Sequence, residues 1–303
     1  MQKTEVIWLD GRLVPWDAAQ VHVLTHTLHY GLGVFEGIRC YAGDDGRSAI
    51  FRLREHIDRL YGSAHVLDLP IPYSPDAMVE ACREVVRANR LAACYLRPIA
   101  FLSDGEMGLA ARPPTRVAIA AWPWGSYLGD EGMQKGIRVK TSSFARFHPN
   151  SLLTKAKAVG HYVNSILASR EVRTAGYDEA LLLDVDGYVS ECSGENIFLV
   201  TQGVVKTTPL PTILSGITRD AILALLADLG TAVREERFTR DEVYLADEAF
   251  LTGTAAEVTP IRELDDRRVG TGAPGPVTRR LQDLFFAVVH GREERWRSWL
   301  TYI

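Results

Sequence analysis

Two kinds of apolar spacing alternate along this chain and predict a mixture of helices and strands. Apolar residues three and four positions apart predict helices, and short continuous apolar runs predict strands. The helical spacing covers residues 53–67, 74–86, 158–175, 217–229 and 277–289. The strand-like runs cover residues 93–101, 116–122, 137–141, 196–200, 204–207, 250–254 and 258–264. This mixture favours an α+β or α/β fold class.

Local signals mark where several of these elements begin and end. The pairs Asp10-Gly11 and Asp186-Gly187 each interrupt an apolar run and predict hairpins, because Asp-Gly favours the turn that matches strand twist. Ser74-Pro75 suits the N-cap and first position of a helix. Three glycines punctuate the apolar stretch 28–41, which we expect to be a strand or extended chain that passes close to another group.

At 303 residues the chain is long enough for two domains. The segment 122–129 contains a proline, two glycines and several aromatic residues, and it is the best candidate for a linker. We therefore expect a small N-terminal α/β domain at 1–122, an interdomain loop at 123–134 and a larger C-terminal domain at 135–303.

Composition restricts the function classes. The net charge of −4 and the isoelectric point near 6.1 argue against a nucleic-acid partner. No apolar run approaches the length of about 18 residues that a membrane helix requires, and the N-terminal apolar run is too short for a signal peptide. The four cysteines form no Cys-x-x-Cys pair, so no metal site is expected. These features predict a cytoplasmic protein.

Three residues have the chemistry of a pyridoxal 5′-phosphate (PLP) site. Lys157 lies among small residues, Tyr162 follows it closely, and Glu191 comes after the second predicted hairpin. A lysine amine can form a Schiff base with the cofactor aldehyde. A carboxylate can keep the pyridine nitrogen protonated, and a tyrosine can hydrogen-bond the ring oxygen. Lys155 and Glu195 are rivals for two of these roles, and a solvated surface position is the ordinary alternative for each.

The phosphate of such a cofactor requires backbone donors and positive charge. The sequence 215–218 opens a predicted helix, where free N–H groups and the helix dipole favour an anion, although Ser215 or Thr218 could serve only as a cap. The sequence 252–254 offers a hydroxyl on a glycine turn. Arg59 lies about 140° from the apolar face of its helix, where it is either solvated or directed toward a phosphate.

Several segments, in order along nearly the whole chain, resemble the class IV aminotransferases, and most of all the bacterial branched-chain amino acid aminotransferases. The segments are Tyr30–Tyr41, Arg54-Glu55-His56, Tyr95-Leu96-Arg97-Pro98, Pro123-Trp124-Gly125, Ser190-Glu191, Gly216–Asp220 and Thr252–Glu257. The resemblance implies PLP fold type IV, with a barrel-like sheet in the larger domain and the cofactor at the interface of the two domains. It also implies a homodimer as the smallest assembly, because family active sites borrow a loop from the neighbouring subunit, and it leaves a hexamer open.

The resemblance further implies a role for individual residues. Lys157 would be the Schiff-base lysine, Glu191 the partner of the pyridine nitrogen and Tyr162 the partner of the ring oxygen. The phosphate would be held by Arg59, Gly216, Ile217, Thr218 and Thr254. The substrate would be contacted by Tyr30, Phe35, Gly37, Tyr95, Arg97, Met107, Leu109, Trp124, Tyr127, Ala255 and Ala256. Among these, Arg97 would bind the distal carboxylate of glutamate.

The expected reaction is transfer of an amino group from leucine, isoleucine or valine to 2-oxoglutarate, with no metal and with small amino and oxo acids as the partners. Three alternatives share the scaffold: a D-amino acid aminotransferase, an (R)-amine aminotransferase and an aminodeoxychorismate lyase. A non-catalytic PLP-binding protein is a fourth. Val159 and His161 depart from the family pattern at positions expected near the cofactor.

Overall fold

The computed structural model describes residues 2–125 and 128–303. The chain divides into two compact units. The first unit comprises Met1–Trp124, Lys155–His161 and Val288–Ile303, and the second comprises Gly125–Thr154 and Tyr162–Ala287. The first unit therefore gathers three separate stretches of sequence. The sequence-based boundaries at 1–122, 123–134 and 135–303 do not include the two later stretches, and as functional domain boundaries they stay a prediction.

The described residues form both helices and strands, as the sequence predicts. The α-helices are α1 His26–Tyr30, α2 Leu53–Val66, α3 Pro75–Ala88, α4 Gly129–Lys135, α5 Tyr162–Thr174, α6 Ile217–Asp228, α7 Arg240–Tyr244 and α8 Pro276–Val289. The strands are β1 Val6–Leu9, β2 Arg12–Pro15, β3 Gly33–Phe35, β4 Ile38–Ala42, β5 Ser48–Phe51, β6 Cys94–Leu102, β7 Thr115–Trp122, β8 Ile137–Thr141, β9 Glu179–Leu183, β10 Val189–Cys192, β11 Asn196–Thr201, β12 Val204–Thr207, β13 Val233–Glu235, β14 Glu248–Gly253, β15 Glu257–Leu264, β16 Arg267–Arg268 and β17 Leu300–Tyr302.

An eight-stranded sheet forms the first unit. Its strands lie in the order β17-β5-β4-β6-β7-β1-β2, and β3 pairs with β6 beside this path. Helices α2 and α3 pack together and bury their apolar faces in one core with the sheet. The predicted cap of α3 is confirmed, since the Ser74 Oγ accepts a hydrogen bond from the Ala77 N–H at 3.2 Å and Pro75 is the first helical residue. The cap fixes where α3 begins and so which face it buries.

The stretch 28–41 contains more structure than the sequence indicated. The prediction of a continuous strand or extended chain is wrong at its start, where α1 forms and ends at Gly31 with φ of 75°. Strands β3 and β4 follow. The predicted close approach is confirmed at this glycine, because a Cβ on Gly31 would lie 3.1 Å from the Cα of Gly160. The segment Lys155–His161 therefore crosses this turn with almost no space between the two backbones.

The second unit contains a nine-stranded sheet in the order β10-β9-β8-β15-β14-β11-β12-β13, with β16 paired to β15. The N–H of Cys192 at the end of β10 donates to the carbonyl of Glu195 just before β11, at 2.8 Å. The first strand of the path thus returns to a strand near its other end, and the sheet curves back on itself. The predicted hairpin at Asp186-Gly187 is confirmed, with β9 and β10 antiparallel.

Candidate active site

Lys157 lies in the first unit, on the segment that crosses β3. Its N–H donates to the Ser63 Oγ at 3.0 Å, and its carbonyl accepts from the Phe35 N–H at 3.1 Å. Its Nζ lies 5.3 Å from the centre of the Phe35 ring. The side chain is half-buried, whereas that of the rival Lys155 is exposed. The amine of Lys157 is thus held against an aromatic surface by a fixed backbone.

A second cation, the guanidinium of Arg97, lies over the same Phe35 ring. The Cζ of Arg97 lies 4.7 Å from the centre of the Phe35 ring and 5.5 Å from that of Tyr95. Its Nε is buried and has no hydrogen-bond partner among the described residues. A buried guanidinium N–H without an acceptor is costly, so this group suits an anion that arrives with a ligand. The Phe35 ring therefore contacts both the amine of Lys157 and this guanidinium.

Gly37 is required by the position of Tyr95. A Cβ at Gly37 would lie 1.8 Å from the Tyr95 Oη and 2.7 Å from its Cζ. The tyrosine ring also packs against Trp122 and Trp124, with ring centres 5.4 and 5.5 Å away. The two tryptophan rings and the absent side chain of Gly37 therefore fix the hydroxyl of Tyr95.

Arg59 projects from α2 onto a buried carboxylate. Its Nε and Nη2 donate to the two oxygens of Glu36 at 2.7 and 2.8 Å, and the His56 Nδ1 contacts the same carboxylate at 2.7 Å. Glu36 is fully buried. Burial alone would raise the pKa of Glu36, but Arg59 and His56 outweigh it and hold that pKa well below its ordinary value. Burial lowers the pKa of His56, so the imidazole is the neutral partner in this group.

Glu191 lies in the second unit, on β10, and is buried. The Nη2 of Arg146 lies 2.8 Å from its Oε1. Its Oε2 accepts from the Asn196 Nδ2 and from the Leu214 N–H, both at 3.2 Å. The rival Glu195 is also buried, and its carboxylate accepts from the neighbouring Gly194 N–H at 3.2 Å. Glu191 is thus held in place by groups that come from other elements of the second unit.

The start of α6 lies beside this carboxylate. A Cβ at Gly216, the N-cap of α6, would lie 2.0 Å from the Asn196 Oδ1, so the helix terminus and the partner of Glu191 are in close contact. Asn196 also pairs across the sheet with Thr252 at the end of β14. The structure thus brings Glu191, the α6 terminus and the end of β14 together in the second unit.

The other predicted residues occupy several places. Ile217 and Thr218 are the first two residues of α6, and both are buried. Thr254, Ala255 and Ala256 form the turn between β14 and β15, and Tyr162 begins α5. Tyr30 ends α1 and is exposed, as are Met107 and Leu109, the latter at 91%. Tyr127 lies outside the described residues. These positions leave the roles of the exposed residues as predictions.

Three partners of the site were missed by the sequence reasoning. Arg146 follows no pattern, and it lies in the loop after β8, far in sequence from Glu191 on β10. Glu36 lies inside a segment that carries the family resemblance, and Asn196 opens the apolar run 196–200. A charged or amide residue within or beside an apolar run was therefore the available signal.

The described part of the chain offers neither a membrane-spanning helix nor a metal cluster. No helix there has the length and apolar character to cross a bilayer. No group of three or more His, Cys, Asp or Glu side chains there is arranged to hold a metal ion.

The chain is similar to known proteins over nearly its whole length. The family described as amino-transferase class IV matches residues 33–264. A branched-chain-amino-acid aminotransferase of Pseudomonas aeruginosa is 54% identical, covering 98% of this chain and 97% of that protein. The T.th. branched-chain amino acid aminotransferase with pyridoxamine 5′-phosphate superposes with a TM-score of 0.96 at 48% identity, covering 100% of this chain and 99% of the other. The same enzyme complexed with N-(5′-phosphopyridoxyl)-L-glutamate gives a TM-score of 0.95 at 47% identity with the same coverage.

Proposed function

Because this chain belongs to the class IV aminotransferase family, we propose that it transfers the amino group of leucine, isoleucine or valine to 2-oxoglutarate with PLP as its cofactor. The names of its relatives support this substrate class. The L-glutamate adduct of the T.th. enzyme supports the L-enantiomer and glutamate as the second amino acid. The D-amino acid, (R)-amine and aminodeoxychorismate alternatives are not favoured by these relatives.

The donor set of the chain suits PLP. Glu191 is a buried carboxylate held by Arg146 and Asn196, as the partner of a protonated ring nitrogen should be. The α6 terminus offers the backbone N–H groups of Ile217 and Thr218, and Thr218 and Thr254 offer hydroxyls for a phosphate. We propose that Gly216 lets this terminus approach the cofactor and that Tyr162 bonds the ring oxygen.

When bound, PLP supplies an aldehyde for the amino group and a ring that withdraws electrons from the substrate Cα. We propose that the Nζ of Lys157 removes the proton from that Cα and later returns one, as general base and then acid. The backbone bonds of Lys157 to Ser63 and Phe35 limit where the amine can reach. Glu191 holds the proton on the ring nitrogen throughout.

The observation that carries the substrate class is the Phe35 ring, which contacts both Lys157 and Arg97. An aliphatic side chain can lie on such an apolar surface, and the distal carboxylate of glutamate can reach the single guanidinium at its edge. Tyr95, with the backbone of Ala255 and Ala256, would receive the α-carboxylate. Trp124 packs against Tyr95 and would complete the wall.

We further propose a cytoplasmic homodimer as the smallest assembly. Helix α5 exposes Val163, Ile166 and Leu167 on one face, which is an apolar surface of the kind that a second subunit covers. Tyr30, Met107 and Leu109 would then help to complete a pocket through the neighbouring copy. The four cysteines are free and buried, a state that a reducing compartment preserves.

Covalent labelling tests the assignment of the reactive lysine. We expect that borohydride added to the yellow, PLP-loaded protein fixes the cofactor onto Lys157, and peptide mapping locates the label. A label on the exposed Lys155, or no label, would contradict the proposal.

Turnover with L-leucine, L-valine, D-alanine and an aromatic amine tests the substrate class, and we expect activity with the two L-amino acids.

A further inference from the structure

The connection between β3 and β4 is two residues long, and its two residues have different neighbours. Gly37 leaves room for Tyr95. Glu36 is instead directed toward α2, where its carboxylate meets Arg59 and His56. The Glu36 N–H donates to the Pro98 carbonyl at 2.8 Å, so its backbone is also fixed. The carboxylate is consequently attached to the rigid centre of the first unit.

Stability alone does not require a glutamate here, because well-packed apolar residues are often as stable as a buried ion pair in the same place. What two parallel N–H···O bonds add is geometry, since they fix the plane of the guanidinium. Arg59 carries five N–H donors, and the pair with Glu36 engages two of its nitrogens, Nε and Nη2. His56 contributes a third bond to the carboxylate and limits its rotation.

We propose that Glu36 is a positioning residue that holds the guanidinium of Arg59 in the orientation needed to bind the cofactor phosphate, with His56 fixing the carboxylate. Neither Glu36 nor His56 touches the ligand. His56 and Arg59 are three positions apart, on one face of α2, and the hydroxyl of Ser63, one turn further along that face, accepts the backbone N–H of Lys157. One face of α2 thus organises both the phosphate arginine and the reactive lysine. This inference rests on the proposed role of Arg59.

The test compares two ligands that differ only in the phosphate. Dissociation constants of the cofactor-free protein are measured for PLP and for pyridoxal, which lacks the phosphate, by absorbance titration. For Glu36→Gln we expect the constant for PLP to rise about tenfold or more, and that for pyridoxal to change by less than about twofold. Arg59→Ala should show the same selectivity, and Glu36→Gln added to Arg59→Ala should cause no further loss. Glu55→Gln on the same helix is the matched control and should leave both constants unchanged.

The outcomes separate the two hypotheses. If Glu36→Gln weakens PLP and pyridoxal equally, or weakens neither, the positioning role is wrong. If Arg59→Ala weakens PLP and pyridoxal equally, the assignment of Arg59 to the phosphate is wrong instead. Circular dichroism verifies that each variant is folded. If Glu36→Gln does not fold, Glu36→Asp replaces it, because it keeps the charge but withdraws the carboxylate by one methylene. It should show the same selective loss to a smaller degree, and an equal loss for both ligands would overturn the proposal.

Discussion

At the scale of single residues, Arg97 has the environment of a ligand-binding cation. Its guanidinium lies against the Phe35 and Tyr95 rings, and its buried Nε has no acceptor among the described residues. We expect Arg97→Ala to raise the activation free energy of the reaction with glutamate by about 2–5 kcal/mol. The reason is that the distal carboxylate would be left unpaired in an apolar pocket. The rate with leucine, which has no distal carboxylate, should change little. Single-turnover rates with each amino acid on the PLP form measure the difference.

A second arginine provides the control for that experiment. Arg116 lies over Phe101 on the neighbouring strand and pairs with Asp10. Arg116→Ala should leave the ratio of the glutamate and leucine rates unchanged. Equal losses for both substrates in Arg97→Ala would mean that Arg97 binds the shared α-carboxylate or supports the fold.

Glu191 and Glu195 can be distinguished by isosteric substitution. We expect Glu191→Gln to retain PLP, because the phosphate contacts remain, but to lose about 100-fold or more in turnover, or roughly 2.7 kcal/mol. An amide does not keep the ring nitrogen protonated, and it also loses the ion pair with Arg146. Glu195→Gln should retain most of the activity. The reverse result, with Glu195→Gln inactive and Glu191→Gln active, would make Glu195 the partner of the pyridine nitrogen instead of Glu191.

Sequence reasoning predicts residue types that carry chemistry better than it predicts what holds them. Lys157, Arg97 and Glu191 are predicted to carry chemistry because the residue type and its spacing resemble a family pattern. The contacts of Arg146 with Glu191 and of Glu36 with Arg59 join residues that are far apart in the sequence. No local pattern encodes such pairs, because they form only after distant elements have packed.

At the scale of secondary structure, β9 begins with a carboxyl group that is costly to ionise. Glu179 is fully buried, its Oε1 accepts from the Ala180 and Ser193 N–H groups, and its Oε2 has no partner among the described residues. Burial raises the pKa of Glu179 above its ordinary value of 4.5. The folded state therefore retains a proton that the unfolded state releases, and stability decreases as pH rises from 4.5 through the folded pKa.

Glutamine at position 179 is neutral at every pH and should remove this loss of folding stability at high pH. We expect Glu179→Gln to increase the melting temperature relative to the parent at pH 8, with a smaller gain at pH 5. Each unit by which burial raises the pKa corresponds to about 1.4 kcal/mol. Glu84→Gln on the exposed face of α3 is the control and should show no such trend. A difference that stays constant from pH 5 to pH 8 would exclude titration of Glu179 as its cause.

Long helices and the central strands were predictable, as were short strands such as β2 and β12, whereas α1 and β5 were not. Helices α2, α3, α6 and α8 bury broad apolar faces, which leave a clear spacing in the sequence. Helix α1 has five residues, too few for a helical period to be recognised, and β5 is as short as β12 but pairs with the distant β17. Both depend on tertiary contacts, as at the turn where Gly31 meets Gly160.

At the scale of the whole molecule, the exposed face of α5 predicts self-association. Ile166 is 45% exposed and lies between Val163 and Leu167 on that face. We expect Ile166→Asp to convert the proposed dimer to a monomer in sedimentation experiments, because it would bury an unpaired charge in the proposed interface. Leu245, which is 79% exposed at the end of α7, gives the matched control, and Leu245→Asp should remain dimeric. A dimer that survives Ile166→Asp would show that another surface joins the subunits.

The sequence indicated two units but not the path of the chain through them. The segment Lys155–His161 and the last residues from Val288 group with the first unit although sequence of the second unit precedes each of them. Strand β17 pairs with β5 in the register Leu300↔Phe51. Pairing between strands so far apart in sequence leaves no local signal. A single domain boundary along the chain therefore cannot assign β17 to the first unit.

The position of β17 has a consequence for how the protein is made. Translation supplies β5 early and its edge partner only about 250 positions later. At about 5–20 residues per second, β5 stays an open edge on the ribosome for roughly 12–50 seconds. An open edge can pair with a strand of another nascent chain. A polypeptide released before Leu300 would keep that edge uncovered for its whole lifetime.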